Sequence, residues 1–283
     1  MWLFTNKVNW EKRYYLPIFN KCNIRENLKD NNLEKKMAGH SKFKNIQHRK
    51  GAQDKKRAKI FTRLIKELSV AARSSTNPAS NPRLRSALAA ARAANMPKDN
   101  IERVLKRAEG GEGDVYEEIR YEGYGPGGVA FIVEAMTDNR NRTASEVRSS
   151  FSKFGGSLAE TGAVSFMFDK VGQIIYPIEI ADAEAMFDVA LEAGANNVES
   201  EDDTHIITTS SENFNAVREN IEQQFLVPEE AGLIWQPQNS ISVEEANALT
   251  LLKLFDALDE IEDVQNVFAN FEISDEIMTK LDG

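Results

Sequence analysis

The hydrophobic pattern between residues 55 and 72 is that of an amphipathic helix. Apolar residues recur at intervals of three or four along Lys55–Ala72, which places them on one face. Basic residues recur on the opposite face, where the pattern predicts contact with solvent. The apolar positions are Ile60, Phe61, Leu64, Ile65, Leu68 and Ala71.

Two further helices are predicted before residue 112. Asn81 and Pro82 supply an N-cap and a first-turn proline for an alanine-rich helix. Pro97 ends that helix, and Asp99 with Glu102 three residues later resembles the capping box of another. The sequence therefore predicts a small, all-helical N-terminal domain.

Beyond Gly113 the pattern alternates between strand-like and helix-like segments. The predicted elements are strands at Glu118–Glu122 and Val129–Met136, a helix at Thr143–Phe154, a strand at Ala163–Phe168, a strand at Gln173–Tyr176, a helix at Ala183–Ala193, strands at Asn197–Glu199 and Thr204–Thr209, a helix at Glu212–Phe225, a strand at Gly232–Trp235, a helix at Val243–Glu260 and a strand at Val264–Phe271.

These elements predict an α+β fold, with the small N-terminal helical domain followed by two ferredoxin-like α/β sandwich domains. One sandwich is inserted in the other, because the final helix and strand complement the first sandwich. The predicted domains are 37–112 (helical), 113–170 with 236–283, and the insertion 171–235. Residues 1–36 are interpreted as a disordered leader, either the product of an upstream start codon or an organelle-targeting segment.

The charge is divided sharply along the chain. The whole chain has a net charge of −9. Residues 38–107, however, contain 18 Lys and Arg against four Asp and Glu, and residues 108–283 contain nine against 36. A basic domain on an acidic body predicts a polyanionic partner for the helical domain alone.

The most basic stretch runs from His40 to Lys50 and continues to Lys55–Arg57. It combines ammonium and guanidinium groups with amides, imidazoles and one aromatic ring. Such a mixture is typical of surfaces that contact phosphates and bases. Little of its first half is apolar, so we expect that half to be an arm that orders on its target. The predicted nucleic-acid-binding residues are Lys42, Lys44, His48, Arg49, Lys50, Lys55, Lys56, Arg57, Lys59, Arg63 and Lys66, together with Arg140 and Arg142.

Arg140 and Arg142 lie apart from the rest of that set, since they open the predicted helix of the first sandwich domain. The free N–H groups at the start of a helix could help these arginines to bind a phosphate. Pairing with nearby carboxylates at the helix cap explains them equally well.

Five motifs follow one another along the chain: Met37–Lys42, Asn45–Gly51, Asn95–Ile101, Tyr121–Gly128 and Asp138–Thr143. In this order they resemble the YebC/PmpR family, to which the mitochondrial translational activator of cytochrome c oxidase is related. The resemblance runs from Met37 to about Ile273 and departs at Phe43, where the family usually has Trp. It implies three domains and a cytoplasmic protein. The family is described as probable DNA-binding transcriptional regulators and also as ribosome-associated factors that relieve stalling.

Gly123–Gly128 also satisfies the spacing of a dinucleotide-binding loop. Such a loop must open a helix, whereas this one precedes the predicted strand at Val129. A tight turn with left-handed glycines is the better interpretation.

No constellation in the sequence indicates catalysis, a metal site or a cofactor. His205 has no nucleophile in a triad-like arrangement, and the acidic cluster Glu199–Asp203 lacks the spacing of a calcium loop. We therefore expect a non-enzymatic regulator of gene expression, either a DNA-binding transcriptional regulator or a ribosome-associated translational activator that binds ribosomal RNA. A single cysteine, Cys22, and the lack of a long apolar run favour a cytoplasmic protein without a membrane partner. A monomer is slightly favoured.

Overall fold

The computed structural model describes residues 53–111, 115–201, 203–274, 276–277 and 280, and in the first helix it describes side chains from residue 58 onward. The described residues belong to one compact unit. The predicted leader and the basic residues as far as Lys50 lie outside the described part of the chain.

Three helices form the N-terminal domain: α1 (Gln53–Ala72), α2 (Pro82–Ala93) and α3 (Lys98–Glu109). Both α2 and α3 pack against α1. The apolar stripe predicted for α1 lines this core except at Ile60, which is 45% exposed. The buried residues of the core are Leu68, Ala71, Ala72, Leu84, Ala87, Leu88, Ala91, Met96 and Ile101.

Asn81 joins the end of α1 to the start of α2. Its side-chain oxygen accepts from the Leu84 N–H at 3.0 Å, which is the N-cap bond predicted from the sequence. Its Nδ2 donates to the carbonyl oxygens of Ala71 at 2.7 Å and Ser75 at 2.8 Å. A single buried amide therefore satisfies backbone groups at both helix ends.

The capping box predicted at Asp99 is wrong. α3 begins one residue earlier, at Lys98, and its N-cap is Pro97, which makes no side-chain capping bond. The fixed φ of proline suits this position. Asp99 instead lies in the first turn, where its negative charge interacts favourably with the helix dipole.

The remaining elements follow in chain order. They are β1 (Glu117–Tyr124), β2 (Ala130–Thr137), α4 (Arg140–Lys153), β3 (Ser157–Ala159), β4 (Phe168–Pro177), α5 (Ala183–Ala193), β5 (Asn197–Glu201), β6 (Thr204–Ser210), α6 (Phe214–Glu222), β7 (Glu230–Pro237), β8 (Ile241–Ser242), α7 (Glu245–Asp259), β9 (Val264–Ala269) and β10 (Phe271–Glu272), with short 3₁₀ turns at Pro126–Gly128, Ser165–Met167 and Ile178–Ile180.

The first sheet has the strand order β3-β1-β2-β9, and every neighbouring pair is antiparallel. β9 is thus paired with β2 although more than a hundred residues separate them, with Val133 opposite Val267. α4 and α7 cover one face of this sheet. Their shared core includes Phe131, Val133, Val147, Phe151, Leu251, Leu254 and Leu258.

The second sheet is built from one continuous stretch, with the strand order β5-β6-β4-β7. Its elements follow as strand, helix, strand, strand, helix, strand, which is the ferredoxin-like arrangement. α5 and α6 pack on it over Ile174, Tyr176, Met186 and Ile207. The α+β class predicted from the sequence is confirmed. β4 runs without a break through the predicted domain junction at residues 170–171.

The strand predicted at Ala163–Phe168 is a 3₁₀ turn followed by the first residue of β4. The reason lies in Glu122, whose buried carboxylate accepts the N–H groups of Val164 at 2.8 Å and Ser165 at 3.0 Å. Backbone groups held by a side chain in this way are not available to a strand ladder. None of the helices in the described ranges is both long and apolar enough to span a membrane.

Candidate nucleic-acid interface

The predicted interface residues fall into three groups in the structure. Lys42, Lys44, His48, Arg49 and Lys50 lie outside the described residues. A second group, Lys55, Lys56 and Arg57, lies in the first turns of α1, where the helix but not the side chains is described. The third group has described side chains and consists of Lys59, Arg63, Lys66, Arg140 and Arg142.

Lys59 and Arg63 lie on one face of α1 and both bind Asp259 at the end of α7. Lys59 Nζ is 2.7 Å from Asp259 Oδ2, and it also contacts the Asp259 carbonyl oxygen. Arg63 Nη2 is 2.7 Å from Asp259 Oδ1, while its Nε donates to the Val264 carbonyl oxygen at 3.0 Å. The face of α1 that was predicted to meet solvent therefore packs against the α+β body.

Burial at this contact changes the pKa values of the charged groups. It lowers the pKa of Lys59, and the neighbouring Arg63 lowers it further, while the hydrogen bond to Asp259 acts in the opposite direction. Burial raises the pKa of the Asp259 carboxyl, but the charges and hydrogen bonds of Arg63 and Lys59 outweigh it, so the net shift is downward. The carboxylate is thus held ionised by its two cations.

Lys66 makes the most buried ion pair of this face. Its Nζ lies 2.7 Å from Asp263 Oδ1 and donates to the Glu262 carbonyl oxygen at 3.1 Å. The same carboxylate accepts at Oδ2 from Arg142 Nη2 at 2.7 Å and from Thr143 Oγ1 at 2.7 Å. Asp263 therefore links α1 to the start of α4.

The two arginines at the start of α4 differ in their surroundings. Arg142 binds Asp138 at 2.9 Å as well as Asp263, and its N–H donates to the Asn139 cap at 3.1 Å. This geometry is that of a cap region paired with nearby carboxylates, the alternative given above for Arg142. Arg140 is exposed, and its carbonyl oxygen accepts a bond from the Tyr121 hydroxyl at 3.4 Å.

α2 makes a further set of contacts with the body. Arg83 binds Glu67 of α1 at 2.7 Å and also pairs with Glu118 of β1. Arg85 Nη2 lies 3.0 Å from Glu219 Oε1 in α6. The helical domain is thus attached to elements of both sheets.

The sequence did not single out Asp259 or Asp263, although they determine where α1 packs. Nothing local in the sequence connects the two segments, because they lie about 200 positions apart.

The glycine-rich segment Gly123–Gly128 is a turn that leads into β2. Gly127 and Gly128 have φ values of 72° and 76°, which L side chains rarely adopt. A Cβ on Gly125 would lie 2.7 Å from the ring of Phe131, so close packing also requires glycine there. The segment does not open a helix that could receive a pyrophosphate.

His205 is completely buried in β6. Its Nδ1 is 2.7 Å from Ser200 Oγ, and its Nε2 is 3.0 Å from the Ala181 carbonyl oxygen. These bonds hold the imidazole between β5 and the segment before α5. Both ring nitrogens are therefore engaged inside the second sandwich.

Comparisons with known proteins cover nearly all of the described chain. Residues 41–111 match the family model for the TACO1/YebC protein N-terminal domain, and residues 116–271 match that for the TACO1/YebC second and third domain. The crystal structure of a conserved hypothetical protein from Aquifex aeolicus is similar, with 45% sequence identity and a TM-score of 0.76. That match covers 82% of this chain and 97% of the other. The chain therefore belongs to the TACO1/YebC family.

Proposed function

We propose that this protein is a non-enzymatic, nucleic-acid-binding regulator of gene expression that contacts its target through the N-terminal helical domain. The first candidate role is that of a DNA-binding transcriptional regulator. The proposed compartment is the cytoplasm, and the proposed state is a monomer.

One observation carries the proposal: the positive charge of the helical domain is larger than its contacts with the body require. Residues 38–107 contain 18 Lys and Arg against four Asp and Glu. The described ion pairs to carboxylates of the body engage Lys59, Arg63, Lys66, Arg83 and Arg85. Of the 11 Lys and Arg between residues 58 and 107, whose side chains the structure describes, docking thus accounts for five. A surplus of this kind favours binding to a polyanion.

The acidic body restricts where that polyanion can lie. Residues 108–283 carry 36 Asp and Glu against nine Lys and Arg. Phosphates are repelled by such a surface, so a nucleic acid is expected to approach only from the helical domain. This geometry suits a domain that inserts into a site on a large partner as well as one that lies on a duplex.

A translation factor that binds ribosomal RNA is the second candidate, and the contacts of α1 and α2 favour it. A helix that reads bases in the major groove must present a free face to the duplex. On α1, however, Lys59, Arg63 and Lys66 face the body, and on α2 Arg83 and Arg85 do the same. Recognition of RNA shape and backbone does not need such a face.

No catalytic step is included in the proposal. The buried His205 is held by Ser200 and backbone carbonyls rather than facing a cleft. In the part of the chain that the structure describes, no three His, Cys, Asp or Glu side chains are grouped closely enough to hold a metal ion. Incubation of duplex DNA and RNA with the protein and Mg²⁺ should leave both polymers intact.

The experiment that separates the two roles measures sequence preference and ribosome association in parallel. A transcriptional regulator should prefer one selected duplex over random duplex by about a thousandfold or more at physiological salt. A translation factor should show less than about a hundredfold preference and should sediment partly with ribosomes in a sucrose gradient, from which high salt releases it. Failure to bind DNA, RNA or ribosomes at low salt would overturn the proposal.

A further inference from the structure

Helix α3 has two chemically distinct faces. Ile101, Val104, Leu105 and Ala108 belong to or pack against the core that α3 shares with α1. Arg103, Lys106 and Arg107 are exposed. Their spacing of three and four residues places these three cations together on the side of the helix away from the core.

These three cations form no ion pair among the described side chains, as is also true of Arg73 and Arg92. Asp99 and Glu102 lie one helical turn before Arg103 and Lys106 but not within ion-pairing distance of them. Lys59, Arg63, Lys66, Arg83 and Arg85 each bind a carboxylate in another element, and Lys98 pairs with Glu102 at 3.2 Å. Among the residues for which side chains are described, no Asp or Glu lies within ion-pairing distance of Arg103, Lys106 or Arg107. The outward side of α3 therefore carries three cations that form no ion pair, on a helix whose exposed carboxylates are Asp99, Glu102 and Glu109.

The stability of the helix explains only part of this arrangement. Lys106 and Arg107 lie in the last turn, where a cation interacts favourably with the helix dipole. Arg103 lies one turn earlier and gains little from the dipole, which acts mainly over the terminal turn. A grouping of all three on one face is better explained by an external anion.

The dimensions of the face suit a nucleic-acid backbone. Residues 103 to 107 span roughly 6 Å along the helix axis. A duplex carries one phosphate charge per ~1.7 Å of its axis, so a span of this length faces about two or three phosphates. Arginine can also bind a phosphate through two parallel N–H bonds.

We propose that Arg103, Lys106 and Arg107 form a phosphate-binding surface for the backbone of DNA or RNA. None of these three residues was among those predicted from the sequence to bind nucleic acid, and they lie on a different helix from the ion-paired face of α1. The inference rests on the proposed function, because it assigns the backbone contact of that function to particular residues of α3.

The test compares two triple variants of the full chain that remove the same charge. R103Q/K106Q/R107Q removes three cations from α3. The matched control, R148Q/K153Q/K253Q, removes three exposed cations from α4 and α7. Binding to random duplex DNA and to a structured RNA of equal length is measured from about 50 to about 300 mM salt, since counterion release makes the salt slope a count of phosphate contacts.

The α3 variant should bind at least about tenfold more weakly at low salt, and its log–log salt slope should be shallower by about two to three. The salt slope of the control should differ from the wild-type slope by less than about half of the contribution of one phosphate contact. Loss on both polymers would identify the shared backbone as the ligand, and loss on one polymer would identify that polymer. Unchanged far-ultraviolet circular dichroism and melting would show that α3 remains folded.

Two outcomes would overturn the inference while leaving the proposed function in place. In the first, the α3 variant binds with the wild-type slope, which would mean that phosphates contact other residues. In the second, the control weakens binding as much as the α3 variant, which would show an effect of net charge alone. If the wild-type protein itself binds neither polymer, the proposed function fails first.

Discussion

Lys66 of α1 and Asp263 of the turn before β9 form a buried ion pair, with Nζ and Oδ1 2.7 Å apart and side chains 6% and 4% exposed. Arg142 and Thr143 complete the hydrogen bonding of the same carboxylate. One acidic residue thus fixes the helical domain to the first sandwich and anchors the start of α4. The stability of the contact between the helical domain and the first sandwich should therefore depend on Asp263.

Replacing Asp263 with Asn should lower the free energy of unfolding by about 3–5 kcal/mol, because Lys66 would keep a buried charge without its counterion. Urea denaturation of the full chain measures the change. Glu260→Gln, at an exposed position three residues away, is the matched control and should stay within about 0.5 kcal/mol of wild type. A loss below about 1 kcal/mol for Asp263→Asn would show that the pair is not a main support of the domain contact.

Acid should weaken the same contact. Burial alone would raise the pKa of the Asp263 carboxyl, but hydrogen bonds from Lys66, Arg142 and Thr143 outweigh it and hold the pKa well below its usual range. A carboxyl whose pKa is lowered on folding stabilises the folded state fully at pH values above its unfolded-state pKa. That contribution is lost as the pH falls toward its folded-state pKa.

Urea midpoints of the wild-type protein should therefore fall steadily from about pH 5 downward. Asp263→Asn should depend less on pH over the same interval, since it lacks the titrating group. Parallel pH profiles for the two proteins would contradict the role assigned to this carboxyl.

Arg63 should matter for stability although it lies on the face of α1 that the sequence alone predicts to be solvent-exposed. Arg63→Gln removes hydrogen bonds to the Asp259 carboxylate and to the Val264 carbonyl oxygen. We expect a loss of about 1.5–3 kcal/mol, the range for hydrogen bonds to charged groups. Lys98→Gln, whose side chain is 86% exposed, should change stability by less than about 0.5 kcal/mol. Equal effects of the two substitutions in thermal denaturation would contradict the docking role of Arg63.

Gly125 should resist substitution for reasons of packing. A Cβ at this position would lie 2.7 Å from Phe131 and 3.0 Å from Leu251, both in the core of the first sandwich. Gly125→Ala should therefore cost about 1–3 kcal/mol. At Gly232 nothing lies within 4 Å of an added Cβ, so Gly232→Ala should be tolerated. Differential scanning calorimetry distinguishes the two, and a neutral Gly125→Ala would show that the turn adjusts freely.

Periodicity predicted the helices and their inner faces because burial follows local spacing. The apolar stripe of α1 lines the domain core except at the exposed Ile60, and the Asn81 cap forms as the sequence indicated. The outer face of α1 could not be assigned in the same way. A lysine that pairs with a carboxylate some 200 positions later in the chain has the same local sequence pattern as a lysine that is exposed to solvent.

The segment at Ala163–Phe168 shows a second limit of local patterns. Its apolar residues suit a strand, whereas in the structure the N–H groups of Val164 and Ser165 donate to the distant carboxylate of Glu122. For the same reason, the sequence alone could not decide whether Arg142 binds a phosphate or pairs with nearby carboxylates. The structure shows that it pairs with Asp138 and Asp263.

The surface that contacts nucleic acid can be located directly by ultraviolet crosslinking of the full chain to a bound duplex and to structured RNA, followed by mass spectrometry of the crosslinked peptides. We expect crosslinks within residues 38–111, including peptides from α3, and few within residues 168–237, where the second sheet lies. High salt should remove the crosslinks, because the contacts are electrostatic. Crosslinks concentrated in residues 168–237, or retained at high salt, would contradict the claim that the helical domain binds the nucleic acid.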